Sequence, residues 1–236
     1  MFYSDVPILL VSGGKGGVGK SSISAGIANA FCAKGFRVGM LDADLTGPSQ
    51  SVLFPGTMRA KGSLLIPAVC ENISVCSMGY LSENPSALVW SEDAARSLFE
   101  RFLFKTEWGC LDMLVVDLPP TSGMITRMLM EFFEYASTVF VTTGSQLALA
   151  DCRRDITFHR KLENNGIGII HNMAYHECNV CGARQAIGAS CDLDAFARDV
   201  GLPILARLPY CDAIVDGGAL AEVASCIAER KGFLHA

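Results

Sequence analysis

The sequence is 236 residues long with a formal net charge of −5. With no dense block of lysine and arginine, it gives non-specific nucleic-acid binding little electrostatic support. Hydrophobic residues make up 50% of it and mean hydropathy is +0.34, yet no apolar run approaches the roughly 20 residues that span a bilayer, so a soluble protein without a membrane partner is expected. Ten cysteines follow a start that leaves no room for a signal or transit peptide, which fits a reducing, cytoplasmic setting better than a disulfide scaffold.

In chain order, Val6 to Val11 reads as a short buried parallel strand leading directly into glycines. Gly14-Lys15-Gly16-Gly17-Val18-Gly19-Lys20-Ser21 fits the phosphate-cradling pattern GxxxxGKS, with a second lysine inside the loop. Ser21 to Lys34 then reads as a helix with Ile23, Ile27, Ala30 and Phe31 on one face and Gly35 as its stop. A glycine loop between a strand and a helix N-terminus turns successive N–H groups toward phosphate oxygens, and the helix dipole adds to the attraction. Gly14, Gly16, Gly17, Val18, Gly19 and Ser22 supply that cradle, Lys20 reaches the β and γ phosphates, and the Ser21 hydroxyl binds Mg²⁺. Lys15 either adds a cation beside the triphosphate or is a solvated loop lysine.

Phe36 to Leu41 is the next strand, ending at Asp42-Ala43-Asp44, where strand ends in an open α/β sheet meet a nucleotide. Leu45 to Ser51 is a turn through Gly47-Pro48, residues 55–72 form an excursion with short irregular strands, and Ile73 to Gly79 returns to the core. Asp93 to Phe104 is helical. Leu111 to Asp117 is the clearest buried strand, and its terminal Asp117 stands where a carboxylate holds Mg²⁺. Val139 to Thr143, Ile167 to Met173 and Ile204 to Leu208 are further strands, separated by helices at Met124 to Tyr135, Leu147 to Asn164, Leu193 to Val200 and Gly218 to Lys231. The alternation predicts an α/β protein: a single doubly wound, mostly parallel sheet with helices on both faces, formed by one domain over residues 1–236. Asp44 is the candidate for orienting the attacking water and Asp42 lies nearer the metal, although either alone also fits a turn cap. Arg153, Arg154, Arg160 and Lys161 read as the solvated face of one helix. Cys32, Cys70, Cys76 and Cys110 read as packing residues.

The string GKGGVGKS resembles the deviant phosphate loop of the family that includes MinD, ParA, the nitrogenase iron protein and the Mrp-type iron-sulfur carriers. DADLTGPS (42–49), DLPP (117–120), VTTGSQLALAD (141–151), IIHNMAYHECNVCG (169–182) and LPILARLP (202–209) resemble segments of the Mrp branch. The resemblance implies a P-loop ATPase in which Lys15 reaches across a dimer interface to the partner's nucleotide and Asn172 contacts the adenine; a turn or cap is the alternative role for Asn172. It also implies a weak ATPase in which hydrolysis acts as a conformational switch. The chain departs from the branch at Thr121-Ser122-Gly123-Met124, at Trp90-Ser91-Glu92-Asp93 and at Asn179. The first of these removes a glycine and an acidic residue from the second switch segment and points to slow or partner-dependent hydrolysis.

Cys178 and Cys181 lie in a segment, residues 172–191, that carries the branch's own chemistry. Two thiolates at this spacing supply half of the four ligands a cluster or zinc ion needs, so the other half comes from a second subunit. The resemblance implies a 4Fe-4S cluster bridging a homodimer, or a heterodimer with a related P-loop scaffold subunit, for delivery to recipient apo iron-sulfur proteins. Zinc, a redox dithiol and inert cysteines are the competing readings of the pair. His171, His176 and Cys191 are outlying candidates for the same site. A MinD- or ParA-like positioning or regulatory ATPase with a zinc or redox pair is the alternative function.

Overall fold

The computed structural model describes residues 6–82, 90–120, 123–133, 135–187 and 191–231. Its strands are β1 (Ile8–Ser12), β2 (Val38–Asp42), β3 (Arg59–Lys61), β4 (Leu64–Ile66), β5 (Ala68–Cys70), β6 (Ile73–Cys76), β7 (Met113–Asp117), β8 (Ser137–Thr142), β9 (Asn165–Glu177), β10 (Arg184–Ala186) and β11 (Ile204–Pro209). The helices are α1 (Lys20–Cys32), α2 (Gln50–Leu53), α3 (Glu92–Phe104), α4 (Met124–Phe132), α5 (Gln146–Lys161), α6 (Leu193–Val200) and α7 (Ala221–Lys231). Thr121 and Ser122, the first residues of the altered switch segment, fall outside the described residues, as does Glu134 within the helix expected to reach Tyr135.

A nine-stranded sheet runs in the order β10-β9-β8-β1-β7-β2-β6-β5, with β11 also paired to β9. The central pairs are parallel and only the flanking pairs β5–β6 and β9–β10 are antiparallel. Both faces are covered, which is why the strands read as unbroken apolar runs. Along β1, Leu9 and Val11 join a cluster with Ile23, Ile27 and Phe31 of α1, while Ile8 and Leu10 join another with Phe99 and Phe102 of α3. Ile23, Ile27 and Phe31 are fully buried, each contributing about 1.5–3 kcal/mol by leaving water. A third cluster joins Cys152 and Ile156 of α5 to Phe196 and Val200 of α6. The chain leaves β1 for β2 on one side and reaches β8 on the other, so strand order reverses at β1, and the crevice beyond the carboxyl ends of β1, β7 and β2 is the expected ligand position.

The principal difference from the sequence reading is β9. The apolar pattern ends it at Met173, with Asn172 beyond its core, but the strand continues to Glu177 and folds back through β10 (register Arg184 to Glu177), so Cys178 and Cys181 sit in the turn of a hairpin. The consecutive polar residues Tyr175, His176 and Glu177 hide this extension, because it leaves the covered part of the sheet. The excursion at 55–72 contains the β3–β4 hairpin and edge strand β5. Cys32 and Cys76 are buried as expected, but Cys70 is only half-buried and Cys110 is exposed, so these two are not core thiols.

Candidate functional site

The phosphate loop joins β1 to α1. Gly19 occupies the helix N-cap with φ 87°, makes no side-chain cap, and is followed by a first turn without acidic residues. The opening N–H groups of α1 are therefore not claimed by a capping side chain, and the positive end of the dipole is left for an anion. Gly14 lies against the Asp151 carbonyl of α5, leaving no room for a Cβ. Lys20 is buried and Lys15 is exposed, which separates a lysine set in the loop's own pocket from one directed outward.

Asp42 and Asp117 are register partners across β2 and β7, each 1% exposed. The Asp117 carboxylate accepts from Ser24 Oγ (3.0 Å) and Gln50 Nε2 (2.8 Å), and the nearby Ser21 side chain favours its charged form. Asp42 accepts from the Ser49 and Gln50 backbone N–H groups (both 3.0 Å) and from Ser77 Oγ (2.9 Å). Burial, and then the charge of Asp117, push the Asp42 carboxyl up against these hydrogen bonds. Burial likewise raises Asp117 while Lys20 opposes it. Two adjacent buried carboxylates beside a serine hydroxyl suit a divalent cation, whose charge offsets their repulsion. Mg²⁺ thus fits Ser21, Asp42 and Asp117.

Asp44 Oδ1 accepts from Thr46 N (3.2 Å), Thr46 Oγ1 (2.9 Å) and Gly47 N (2.9 Å). In this conformation it holds its own turn. Asn172 lies inside β9, 4% exposed, and its Nδ2 donates to Val18 O at 2.9 Å. Its Oδ1 is buried with no protein partner, which leaves an acceptor suited to an exocyclic amine such as that of adenine. Gln50, Ser24 and Ser77 carry no signal in the sequence: their contacts cross 67, 93 and 35 residues, and no local period marks them. Asp155 is a further buried group, accepting from Ser12 Oγ at 2.7 Å immediately before the loop; its i,i+4 spacing from His159 was the available signal.

The hairpin turn closes through Cys178 N to Ala183 O (2.9 Å) and Gly182 N to Cys178 O (2.8 Å). Backbone N–H groups of Val180, first, and Cys181 hold the Cys178 thiol below its ordinary value, whereas burial pushes Cys76 and Cys152 up to about 12. Cys178 is thus set apart as a thiolate-forming group, beside the exposed Cys181. Among the described residues no group of three or more His, Cys, Asp and Glu side chains could hold a metal ion, so His171, His176 and Cys191 do not complete a ligand set. On α5, Arg153, Arg154, Arg160 and Lys161 are all exposed, as expected of a solvated face; Arg153 and Arg160 also reach Asp199 and Val200 O of α6, and Arg154 pairs with Asp151 within α5. No described helix is long and apolar enough to cross a membrane.

The fold and loop define a P-loop nucleotide-binding protein with a MinD/ParA-like sheet. A family model described as the NUBPL iron-transfer P-loop NTPase matches residues 6–231, and the chain belongs to this family. It is 35% identical over 207 residues to the iron-sulfur cluster carrier protein of Pseudomonas fragi, covering 86% of this chain and 72% of that one. It is 36% identical over 216 residues to the cytosolic Fe-S cluster assembly factor NUBP2 of Mus musculus, covering 86% and 77%. Several longer bacterial carriers are matched over only 56% of their length. A solved nucleotide-binding protein of Archaeoglobus fulgidus in complex with ADP superimposes with TM-score 0.74 at 30% identity, covering 93% of this chain and 88% of that one.

Proposed function

We propose that the chain is an ATP-dependent iron-sulfur cluster carrier: Cys178 and Cys181 hold half of a 4Fe-4S cluster bridging two chains, and the cluster passes to recipient apoproteins in the cytosol. The observation that carries this is the hairpin turn, which brings a half-buried and an exposed thiol side by side, the first held below its ordinary value by backbone N–H groups of the turn. Such donors stabilise a thiolate and tune a bound cluster. No third or fourth ligand joins them among the described residues, so the geometry calls for a second copy or a related subunit. The names of the relatives support an iron-sulfur cargo over zinc.

One nucleotide-binding domain carries both sites in this reading. The loop from Gly14 to Ser22 binds the triphosphate and Lys20 neutralises its β and γ oxygens. Mg²⁺, when bound, offsets charge on the transferring phosphoryl group. Asn172 faces the adenine, Lys15 serves the partner's nucleotide, and Asp44 orients water once its turn releases it. A carboxylate engaged with Thr46 and Gly47 favours slow hydrolysis, as a switch requires.

Anaerobic reconstitution with iron and sulfide tests the proposal. About four iron and four sulfide per dimer, lost in the Cys178→Ala/Cys181→Ala double variant, are expected. Colourless protein, or zinc alone at the thiols, would overturn the carrier reading and leave a dimeric ATPase switch.

A further inference from the structure

We infer that a bulge in β9 at residues 172–174 couples the phosphate loop to the cysteine hairpin, with Asn172 and Met173 as positioning residues. The meaning of the hairpin rests on the carrier reading; the coupling does not. β9 pairs in register with β11 through His171 opposite Arg207, and next through Tyr175 opposite Pro209. Four residues advance on β9 while two advance on β11, so the extra length is taken up between His171 and Tyr175. Met173 lies within it at φ 55°, a left-handed conformation uncommon outside glycine and asparagine and held only where its surroundings impose it.

Those surroundings are the phosphate loop. Asn172 Nδ2 donates to Val18 O at 2.9 Å. A Cβ on Gly19 would strike the same Nδ2 and come within 3.6 Å of Met173 Cε. The bulge therefore presents two consecutive side chains to the residues that open α1, and Gly19 has to be glycine partly because of them. Beyond the bulge the strand runs uninterrupted from Tyr175 to Glu177, paired with β10, into Cys178. Bulges bend a strand and re-aim the residues on their far side. A nucleotide that shifts Val18, or engages the unpartnered Asn172 Oδ1, changes the load on the bulge and swings the thiolate turn. A straight strand would need no left-handed residue here, and an Asn172 serving only as an adenine contact would need no bond to the loop carbonyl.

The test uses the cluster-free full chain under anaerobic reducing conditions. Iodoacetamide pulse labelling of Cys178 is read by mass spectrometry without nucleotide, with saturating Mg-ADP and with a saturating non-hydrolysable Mg-ATP analogue. Exposed Cys110, beside the distant Arg37–Asp112 pair, is the internal reference. Working at saturation removes any change in nucleotide affinity from the readout. Nucleotide is expected to change the Cys178 rate, relative to Cys110, by about fivefold or more, the lower end of usual coupling between sites. Asn172→Ala and Met173→Gly, each first shown by thermal shift to be folded and saturable, should lose this response. Met173→Asn, which accepts the left-handed backbone, should keep it. A wild-type rate indifferent to nucleotide, or a full response in Asn172→Ala, overturns the inference. A thiol response in a chain that takes up no cluster supports the coupling while sinking the carrier reading.

Discussion

Asp117 shows how a single side chain is made fit for its position. It is a buried carboxylate whose burial cost is offset because Lys20 and Ser21 lie near and because Ser24 and Gln50 donate to it. Gln50 does most to fix the local geometry, since its Nε2 bridges Asp117 Oδ2 (2.8 Å) and Ser21 O (3.1 Å) while its backbone N–H holds Asp42. Gln50→Ala removes a hydrogen bond to a charged group, worth about 1.5–3 kcal/mol, and leaves the backbone contact to Asp42 in place. Calorimetry should find Mg-nucleotide affinity weakened by roughly tenfold or more, with the loss concentrated in the Mg²⁺-dependent part of binding. Equal affinity with and without the side chain would assign the metal position to Asp42 alone.

At the scale of elements, the strands and helices around β1 were legible because burial on both faces writes long apolar runs and because α1 repeats Ile23, Ile27 and Phe31 at helical spacing. The hairpin of β9 and β10 was not legible: Arg184, Gln185 and Ala186 are all exposed, so no burial pattern marks them as a strand. The phosphate loop, Asp42, Asp117 and the cysteine pair were readable from motif spacing. The donors that satisfy the carboxylates were not, because their contacts join distant parts of the chain. Helix α5 carries a second unread feature, the buried set Asp155, His159, Thr138 and Asn164. Thr138 Oγ1 donates to Asn164 Oδ1 at 2.5 Å, so His159 Nδ1, at 3.3 and 3.2 Å from those two atoms, must carry the proton. His159 Nε2 is then bare, 3.6 Å from Asp155 Oδ1.

Burial holds His159 below its ordinary value although Asp155 pulls it upward. The unfolded chain therefore takes up this proton more readily than the folded one. Stability from this group is complete above the unfolded value of about 6.5 and is lost as pH falls from there toward the depressed folded value. Denaturant midpoints measured from about pH 7.5 down to 5 should decline, and His159→Asn should flatten the decline. His171 keeps a remainder, since burial and then Arg207 lower it too. An unchanged pH slope in His159→Asn would mean that Asp155 fully compensates the buried imidazole.

For the whole molecule, the proposed function divides the two lysines of the loop between what one chain does and what two do together. Lys20 is 8% exposed and close enough to Asp117 to influence its ionisation, so its charge belongs to the pocket of its own chain. Lys15 is exposed, and no ion pair holds it among the described residues. A long cation left unpaired at the mouth of a phosphate site gains most when a second phosphate-bearing surface approaches, where desolvation strengthens the attraction. Lys20→Ala should therefore abolish nucleotide binding by the isolated chain. Lys15→Ala should retain most ADP affinity but lose ATP-dependent dimerisation and hydrolysis. Titration calorimetry for ADP, light scattering with an ATP analogue and phosphate release separate the two. If Lys15→Ala weakened ADP binding as severely as Lys20→Ala, both charges would serve one nucleotide, and nothing in the loop would link hydrolysis to assembly. If it spared ADP and abolished the dimer, the proposed half-site at Cys178 and Cys181 would be completed only when nucleotide is bound, placing cluster uptake under the control of ATP.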